Sequence, residues 1–222
     1  ARYLVEQMRQ GVNIALVTDA GTPGISDPGE DLVRICYEEG IEVTSLPGPA
    51  ACITALTMSG QPTRRFAFEA FLPREKKERA AVLSQLVNET RTIIIYEAPH
   101  HLLKTLRELL ETLGNRRLTL CRELTKKHET AWQTTIEDAI TRYEQEDPKG
   151  ECVLVIEGRS QKEIEDEAKA AFEEISIEEH MKRYEDQGIA RKEAMKLVAK
   201  DRGVTKRDIY QYLLGKESYN DF

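Results

Sequence analysis

The chain has 222 residues, 40% of them hydrophobic, which is enough for a sizeable core in one or two domains at about 150 residues per domain. Its 32 Lys and Arg residues against 39 Asp and Glu residues give a net charge of −7. That balance excludes a protein that coats nucleic acid with a uniformly basic surface, but it does not exclude a local basic patch. No run of roughly 18 apolar residues and no signal-peptide pattern occur, so we expect no membrane helix and no leader.

Short apolar runs alternate with helical patterns up to residue 159. Nearly continuous apolar runs indicate strands whose sheet is covered by helices on both faces. The predicted strands lie at residues 13–18, 42–46, 66–71, 92–96, 117–121 and 151–156. The predicted helices lie at about residues 29–39, from the turn at 47–49 to 59, and at 75–89, 99–113 and 136–145. The polar stretch 122–135 shows no clear period.

This order predicts an α/β fold with two α/β units, residues 1–72 and 73–159, joined by a short linker. An open α/β domain rarely begins with one helix and three strands. We therefore expect the first part of the N-terminal unit to be absent from this chain.

Residues 160–222 differ in charge and pattern. Residues 161–179 carry a net charge of −6, and residues 181–207 carry +5. Capping motifs at Ser176 and Thr205, a helix over about 190–201 and a C-cap at Gly203 predict a helix-turn-helix layout. The sequence thus predicts an acidic connector followed by a small basic helical domain.

The cysteines and histidines give no sign of a metal or disulfide framework. Their spacing shows no C-x-x-C pair and no set of metal ligands. We expect the cysteines to be small apolar core residues in a reducing cytosol: Cys36, Cys52, Cys121 and Cys152. The single tryptophan, Trp132, is expected in the core, although base stacking is the alternative.

Two glycine- and proline-rich loops each follow a predicted strand and precede a predicted helix. They are residues 18–29 and 46–51. Glycine lets a ligand approach the backbone, and the carboxyl end of a parallel strand is where α/β sheets bind ligands. The loops match neither G-x-G-x-x-G nor a Walker loop, so a nucleotide phosphate is not indicated. The alternative is a rigid turn for the first loop and close helix–sheet packing for the second.

Six ordered motifs carry a family resemblance. They are D-A-G-T-P-G-I-S-D-P-G at 19–29, P-G-P-A-A at 47–51, F-L-P at 71–73, Y-E-A-P-H at 96–100, R-E-L-T-K-K at 122–127 and G-E-C-V-L-V-I-E-G at 150–158. Together they resemble the bacterial small-subunit ribosomal RNA (cytidine-2′-O)-methyltransferases of the tetrapyrrole methylase superfamily. The resemblance spans essentially the whole chain, but the family's opening strand and its Pro/Gly-rich loop do not occur in it.

The resemblance implies two α/β/α subdomains, the N-terminal one incomplete, that hold S-adenosylmethionine in a cleft, usually in a homodimer. It also implies a cytoplasmic protein that acts on small-subunit RNA or on the 30S subunit. Carried over motif by motif, it implies these cofactor contacts: Asp19, Ala20, Gly21, Gly24, Ala50, Ala51, Glu97, Leu124 and Val153.

Methylation of a ribose hydroxyl needs a base, or a cation that stabilises the developing alkoxide. The charged segment after the strand at 117–121 and the carboxylate at the end of the strand at 92–96 supply candidates. We expect Lys126 and Glu97 to shape the acceptor site and Arg122 to contact RNA phosphate. The alternative is a solvated charged loop. The general base stays unassigned.

Basic side chains predict where RNA binds, because phosphate contacts dominate nucleic-acid affinity. One cluster lies at the domain junction and includes Arg79, and the other lies in the basic tail. The candidates are Arg74, Lys76, Lys77, Arg191, Lys192, Lys196, Lys206 and Arg207. The alternative is a solvated helix face.

Two rival functions stay open at this point. One is a methyltransferase of the same fold that acts on a corrinoid or porphyrin, against which the basic tail argues. The other is a non-enzymatic DNA-binding regulator that uses the helix-turn-helix. The acidic overall charge and the two glycine-rich loops weigh against that second rival.

Overall fold

The structure, a computed structural model, describes residues 1–217, with the side chains at 168, 173 and 215–217 outside the description. The chain forms two compact units, Ala1–Gly158 and a second unit that begins at Arg159. No helix in the described part combines the length and apolar character needed to cross a bilayer.

The first unit contains six helices and five strands among its described residues. The helices are α1 (Arg2–Arg9), α2 (Glu30–Glu38), α3 (Ala51–Ser59), α4 (Lys76–Leu86), α5 (Pro99–Leu113) and α6 (Ile136–Tyr143). The strands are β1 (Phe66–Phe71), β2 (Thr92–Glu97), β3 (Arg117–Arg122), β4 (Thr130–Thr135) and β5 (Cys152–Ile156). The mixed α/β architecture agrees with the predicted fold class.

The five strands form one mixed sheet in the order β1-β2-β5-β3-β4. β1 runs parallel to β2, and the other neighbouring pairs are antiparallel. Side chains alternate between the two faces of each strand, so each face has its own core. Helices α4, α5 and α6 cover one face, where Ile93 and Ile95 are fully buried, and α3 covers the other, where Ile94 is fully buried.

Local sequence explains where several helices begin and end. Pro99 is the first residue of α5. Proline has no backbone N–H, but the N–H groups of a helix's first turn have no acceptor within the helix, so none is lost. Thr135 caps α6 by accepting a hydrogen bond from the Asp138 N–H at 3.1 Å. Gly60 ends α3 in the left-handed conformation that glycine adopts without strain.

Two predicted strands are wrong. Residues 13–18 and 42–46 form no regular element and join no ladder among the described residues. Val17 and Leu46 are 78% and 82% exposed, so their apolar character is not used in a sheet. The opposite error is β4, which the polar stretch 122–135 concealed. β4 is an edge strand in which no residue is fully buried, and such strands lack an apolar pattern.

The second unit is helical in its described residues. Its helices are α7 (Gln161–Glu173), α8 (Ile177–Glu185), α9 (Arg191–Asp201) and α10 (Lys206–Glu217). The side chains of Met181, Val198 and Ile209 form its small core. The predicted caps at Ser176 and Thr205 are confirmed, whereas α7, which begins with a capping box at Ser160, was not predicted.

All four cysteines are buried and free, which confirms their assignment as core residues. Burial raises the pKa of the Cys121 thiol to about 11 and that of Cys152 to about 12. Both thiols therefore stay protonated at neutral pH and behave as small apolar groups.

Candidate cofactor and acceptor site

A cavity of about 370 Å³ opens on the α3 face of the sheet in the first unit. Such a volume lies within the range of roughly 300–1,000 Å³ that small-molecule sites occupy. Six segments line it: the loop at 19–27, the turn and helix start at 49–54, the end of β1, the end of β2, the loop after β3, and the start of β5.

The two glycine-rich loops meet at this cavity. The Thr22 N–H donates a hydrogen bond to the Pro49 carbonyl oxygen at 2.9 Å. A Cβ built on Gly21 would lie 3.1 Å from that oxygen, and one built on Gly48 would lie 3.0 Å from Thr22 Oγ1. Glycine at both positions therefore allows two backbones to form one wall of the cavity.

Most of the expected cofactor contacts lie together in this lining. They are Asp19, Ala20, Gly21, Ala50, Ala51, Leu124 and Val153. The structure does not bring Gly24 or Glu97 into the lining. Gly24 instead lies close to Gly29 of its own loop, since a Cβ built on Gly29 would be 3.6 Å from the Gly24 Cα.

Glu97 belongs to a buried network on the opposite sheet face. Its carboxylate accepts hydrogen bonds from the Ala98 N–H at 2.8 Å and from the Thr105 hydroxyl on α5. Arg79 of α4 donates to Thr105 Oγ1 at 2.7 Å and pairs with Glu108 at 2.6 Å. Glu97 thus ties the end of β2 to the helices behind the cavity.

Arg122 also lies on the opposite face. Its guanidinium donates to the Tyr143 hydroxyl of α6 at 3.5 Å, and this contact raises the Arg122 pKa. The structure does not place Arg122 in the cavity lining.

The loop after β3 places a partly exposed ion pair at the cavity. Lys126 Nζ lies 3.2 Å from Glu123 Oε1 and 3.8 Å from Glu151 Oε2. The hydrogen bond with Glu123 raises the Lys126 pKa, so the ammonium is charged at neutral pH. Glu123 and Thr125 both have positive φ, 49° and 64°, which is uncommon for residues with a Cβ. Such strained residues cluster where a loop is held for function.

The charge of the cavity suits a cationic ligand. Four carboxylates, on Asp19, Asp27, Glu123 and Glu151, and one ammonium, on Lys126, are found among its described lining residues. A sulfonium compound carries positive charge at its reacting atom and is therefore favoured there. The backbone wall, the volume and the acidic lining together fit S-adenosylmethionine.

Two aromatic lining residues, Tyr96 and Phe71, were not identified as site residues from the sequence. The Tyr96 hydroxyl accepts a hydrogen bond from the Cys52 N–H at the start of α3, at 2.8 Å. Burial raises the Tyr96 pKa, so the phenol stays protonated. The register of β1 places Phe71 beside Tyr96.

The basic residues expected to bind RNA are mostly exposed. Arg74, Lys76 and Lys77 are exposed in the first unit. Arg79 is an exception and corrects the expected cluster, because its side chain is only 12% exposed and pairs inward with Glu108. In the second unit the exposed residues are Arg191, Lys192, Lys196 and Arg207, and Lys206 is half-buried.

Trp132 packs against the core of the first unit, with the Arg142 guanidinium 4.7 Å from its ring centroid, which confirms its assignment to packing. Within residues 1–217, no group of three or more His, Cys, Asp or Glu side chains is placed to hold a metal ion.

Comparisons with known proteins define the class. Residues 1–140 match the family model described as Tetrapyrrole (Corrin/Porphyrin) Methylases. The fold is similar to the crystal structure of the methyltransferase CobJ, at 19% identity and a TM-score of 0.55, covering 71% of this chain and 70% of that one. It is also similar to uroporphyrin-III-C-methyltransferase from Thermus thermophilus, at 20% identity and a TM-score of 0.50, covering 69% and 68%. The chain has the tetrapyrrole methylase fold.

Closer relatives are named ribosomal RNA small subunit methyltransferase I. The protein from Synechocystis sp. is 44% identical, covering 97% of this chain and 76% of the relative. Those from Halalkalibacterium halodurans and Bacillus subtilis are 45% and 42% identical, covering 94% and 93% of this chain and 72% and 70% of the relatives. The chain therefore belongs to the tetrapyrrole methylase family, in the group of ribosomal RNA small subunit methyltransferase I proteins, and it is an S-adenosylmethionine-dependent methyltransferase.

Proposed function

We propose that this protein transfers a methyl group to the ribose 2′-hydroxyl of a cytidine in small-subunit ribosomal RNA. The observation that carries the proposal is the cavity in which the two glycine-rich loops face the Lys126–Glu123 ion pair. The relatives' names supply the class of substrate. S-adenosylmethionine supplies a methyl group already activated by its sulfonium. The protein therefore has to orient the methyl donor and the acceptor hydroxyl, exclude water, and allow the hydroxyl proton to leave.

The glycine-rich wall is proposed to hold the cofactor. Asp19, Ala20 and Gly21 form one side of this wall, and Ala50 and Ala51 form the other. Leu124, in the loop after β3, and Val153 of β5 line the same cavity. Backbone groups rather than long side chains line the wall, which allows close contact and precise orientation.

Lys126 is proposed to act on the acceptor hydroxyl. Its side chain is 53% exposed, and its ammonium is held at the cavity by Glu123 and Glu151. A fixed cation of this kind stabilises the negative charge that develops on a ribose oxygen as its proton leaves. Glu97, buried behind the sheet, is a positioning residue that fixes the end of β2 beside this site.

The acidic lining repels phosphate, so the RNA backbone needs cations outside the cavity. We propose that Arg74, Lys76 and Lys77 of the first unit supply some of them. Arg191, Lys192, Lys196, Lys206 and Arg207 of the second unit supply the rest. Each such contact releases counterions, so RNA binding should weaken steeply as the salt concentration rises.

We also propose that the protein is a homodimer and that it works in the cytoplasm.

The test is transfer of a tritiated methyl group from S-adenosylmethionine to 30S subunits, or to their free RNA, from cells that lack the modification. A 2′-O-methyl group blocks alkaline cleavage of the adjacent linkage, so we expect the label in an alkali-resistant dinucleotide that begins with cytidine. Label on a base, or transfer to a porphyrin with none to RNA, would refute the proposal.

A further inference from the structure

A β-bulge in β1 changes which face of the sheet Phe71 occupies. Phe66, Ala67 and Phe68 pair with three successive residues of β2, but the next pair is Phe71 with Tyr96. Three steps along β1 therefore match two steps along β2. Such a bulge inserts one residue and redirects the side chains that follow it.

The bulge needs an unusual backbone. Ala70 has φ 51°, in the left-handed region that residues with a Cβ seldom adopt. Without the extra residue, Ala70 would pair with Tyr96, and Phe71 would turn to the face covered by α4 and α5. Leu72, the next residue, does face that side and is buried in its core. The strained Ala70 thus moves Phe71 from a core position to the cavity face.

The move leaves the Phe71 ring half exposed. Phe68, Tyr96 and Phe71 form a row of edge-to-face rings, with centroids 5.0 Å apart for the first pair and 5.6 Å for the second. Phe68 and Tyr96 pack against the α3-face core, but Phe71 is 51% exposed at the outer end and lines the cavity. Strain that exposes a large apolar ring indicates a ligand for that ring.

We propose that Phe71 stacks on the base of the nucleotide whose ribose is methylated. Aromatic rings bind nucleobases by their faces, and this contact does not depend on the base's hydrogen-bonding edge. The position favours RNA over the cofactor, because the backbone wall lies at the two glycine-rich loops while the Phe71 ring is open to solvent. A base held at Phe71 would keep its ribose in the cavity that Lys126 also lines. The inference rests on the proposed function.

The test compares Phe71→Leu, which keeps apolar contact with Tyr96, and Phe71→Tyr, which keeps the ring. Tyr37→Leu is the control, because Tyr37 is a 70% exposed aromatic on α2 outside the cavity lining. We expect Phe71→Leu to raise the KM for small-subunit RNA about 10- to 100-fold, the range that loss of one stacked base gives. Its kcat at saturating RNA should stay within about threefold. Phe71→Tyr and Tyr37→Leu should stay near the parent.

Calorimetric titration with S-adenosylmethionine supplies a readout that does not need RNA. We expect Phe71→Leu to bind the cofactor within about twofold of the parent. An unchanged KM in Phe71→Leu overturns the inference and leaves the proposed function standing. A large loss of cofactor affinity also overturns it, since the ring would then pack on the cofactor. If the parent protein transfers no methyl group to the RNA, the proposed function fails, and the inference fails with it.

Discussion

The side chain of Glu123 lies directly over Gly150. A Cβ built on Gly150 would be 2.3 Å from Glu123 Oε1 and 2.5 Å from its Cδ. Gly150 also has φ 76°, so any residue with a side chain would strain the backbone there even without this contact. The absence of a side chain at Gly150 is what lets Glu123 reach Lys126 at 3.2 Å.

Replacing Gly150 by alanine should therefore impair catalysis more than folding. The new Cβ displaces the flexible Glu123 carboxylate and separates it from Lys126, and we expect the methyl-transfer rate to fall at least about tenfold. Gly40→Ala is the matched control, because Gly40 has φ 67° with nothing within 4 Å of the added Cβ. Both variants should lose about 1 kcal/mol of stability from backbone strain. Equal transfer rates in the two variants would contradict the role assigned to Gly150.

Replacing Lys126 by methionine should lower kcat about 100-fold, because one charged donor at a developing oxyanion is worth about that much. The affinity for S-adenosylmethionine should change little, since the ammonium is proposed to act on the acceptor. Steady-state methyl transfer and calorimetry measure the two quantities. Lys149→Met is the control, because Lys149 is exposed and lies outside the lining. A Lys126→Met protein with parental kcat would remove the lysine from the chemistry.

Replacing Gly21 by valine should weaken cofactor binding at least about tenfold. The side chain enters the junction with Pro49, whose carbonyl oxygen would be 3.1 Å from the new Cβ, and it forces the two loops apart. Gly11→Val gives the same kind of backbone strain, with φ 89° and open space around the Cβ. Calorimetry on both variants separates strain from loss of the wall. Equal affinities would show that the first glycine-rich loop does not contact the cofactor.

Neutralising cations of the second unit should change the salt dependence of RNA binding. Each phosphate contact contributes a slope of about 0.7–0.9 in log K against log salt. The triple variant Lys192→Gln, Lys196→Gln and Arg207→Gln should reduce the slope by about two. Filter binding at several salt concentrations measures the slope, with Lys162→Gln of the acidic α7 as the control. A slope equal to that of the parent would exclude these residues from the RNA interface.

Much of the fold follows from local sequence, because buried strands and amphipathic helices carry their own pattern. The strand at Thr92–Glu97 and the helix at Pro99–Leu113 agree with their predicted bounds to within a residue. Residues 13–18 have an equally apolar run and form no strand. A strand exists only when a neighbour supplies hydrogen bonds, and no local pattern contains that information. The division at residue 72 stays a prediction.

The site was predictable only in part. Sequence resemblance indicated Gly21, Ala50 and Val153, which the fold brings into one cavity. The alternation of side chains along β2 determines which of its residues reach the cavity. Tyr96 faces the cavity, and Glu97 faces the opposite side of the sheet. Phe71 depends on a bulge, which shifts alternation by one residue and leaves no local pattern. Strand register was thus the missing information.

The loop before β2 gives a prediction for acid stability. Glu89 accepts hydrogen bonds from the Arg91 side chain, at 2.9 Å from Nε, and from the Arg91 N–H, at 2.8 Å. The Arg91 side chain is the main cause that lowers the Glu89 pKa from 4.5 to about 2. A lowered carboxyl pKa stabilises the fold above the unfolded value, and that stabilisation is lost as the pH falls from about 4.5 to about 2.

We therefore expect Glu89→Gln to lower the free energy of unfolding by about 1–2 kcal/mol at pH 7, a figure reduced for the partial exposure of Arg91. The difference from the parent should shrink between pH 4.5 and pH 2, because both proteins are then neutral at this position. Urea denaturation at pH 7, 5, 4 and 3 measures the trend. Glu111→Gln, at an exposed position on α5, should show no such change with pH. A difference that stays constant down to pH 3 would mean that the ionised Glu89–Arg91 pair is not what stabilises the loop.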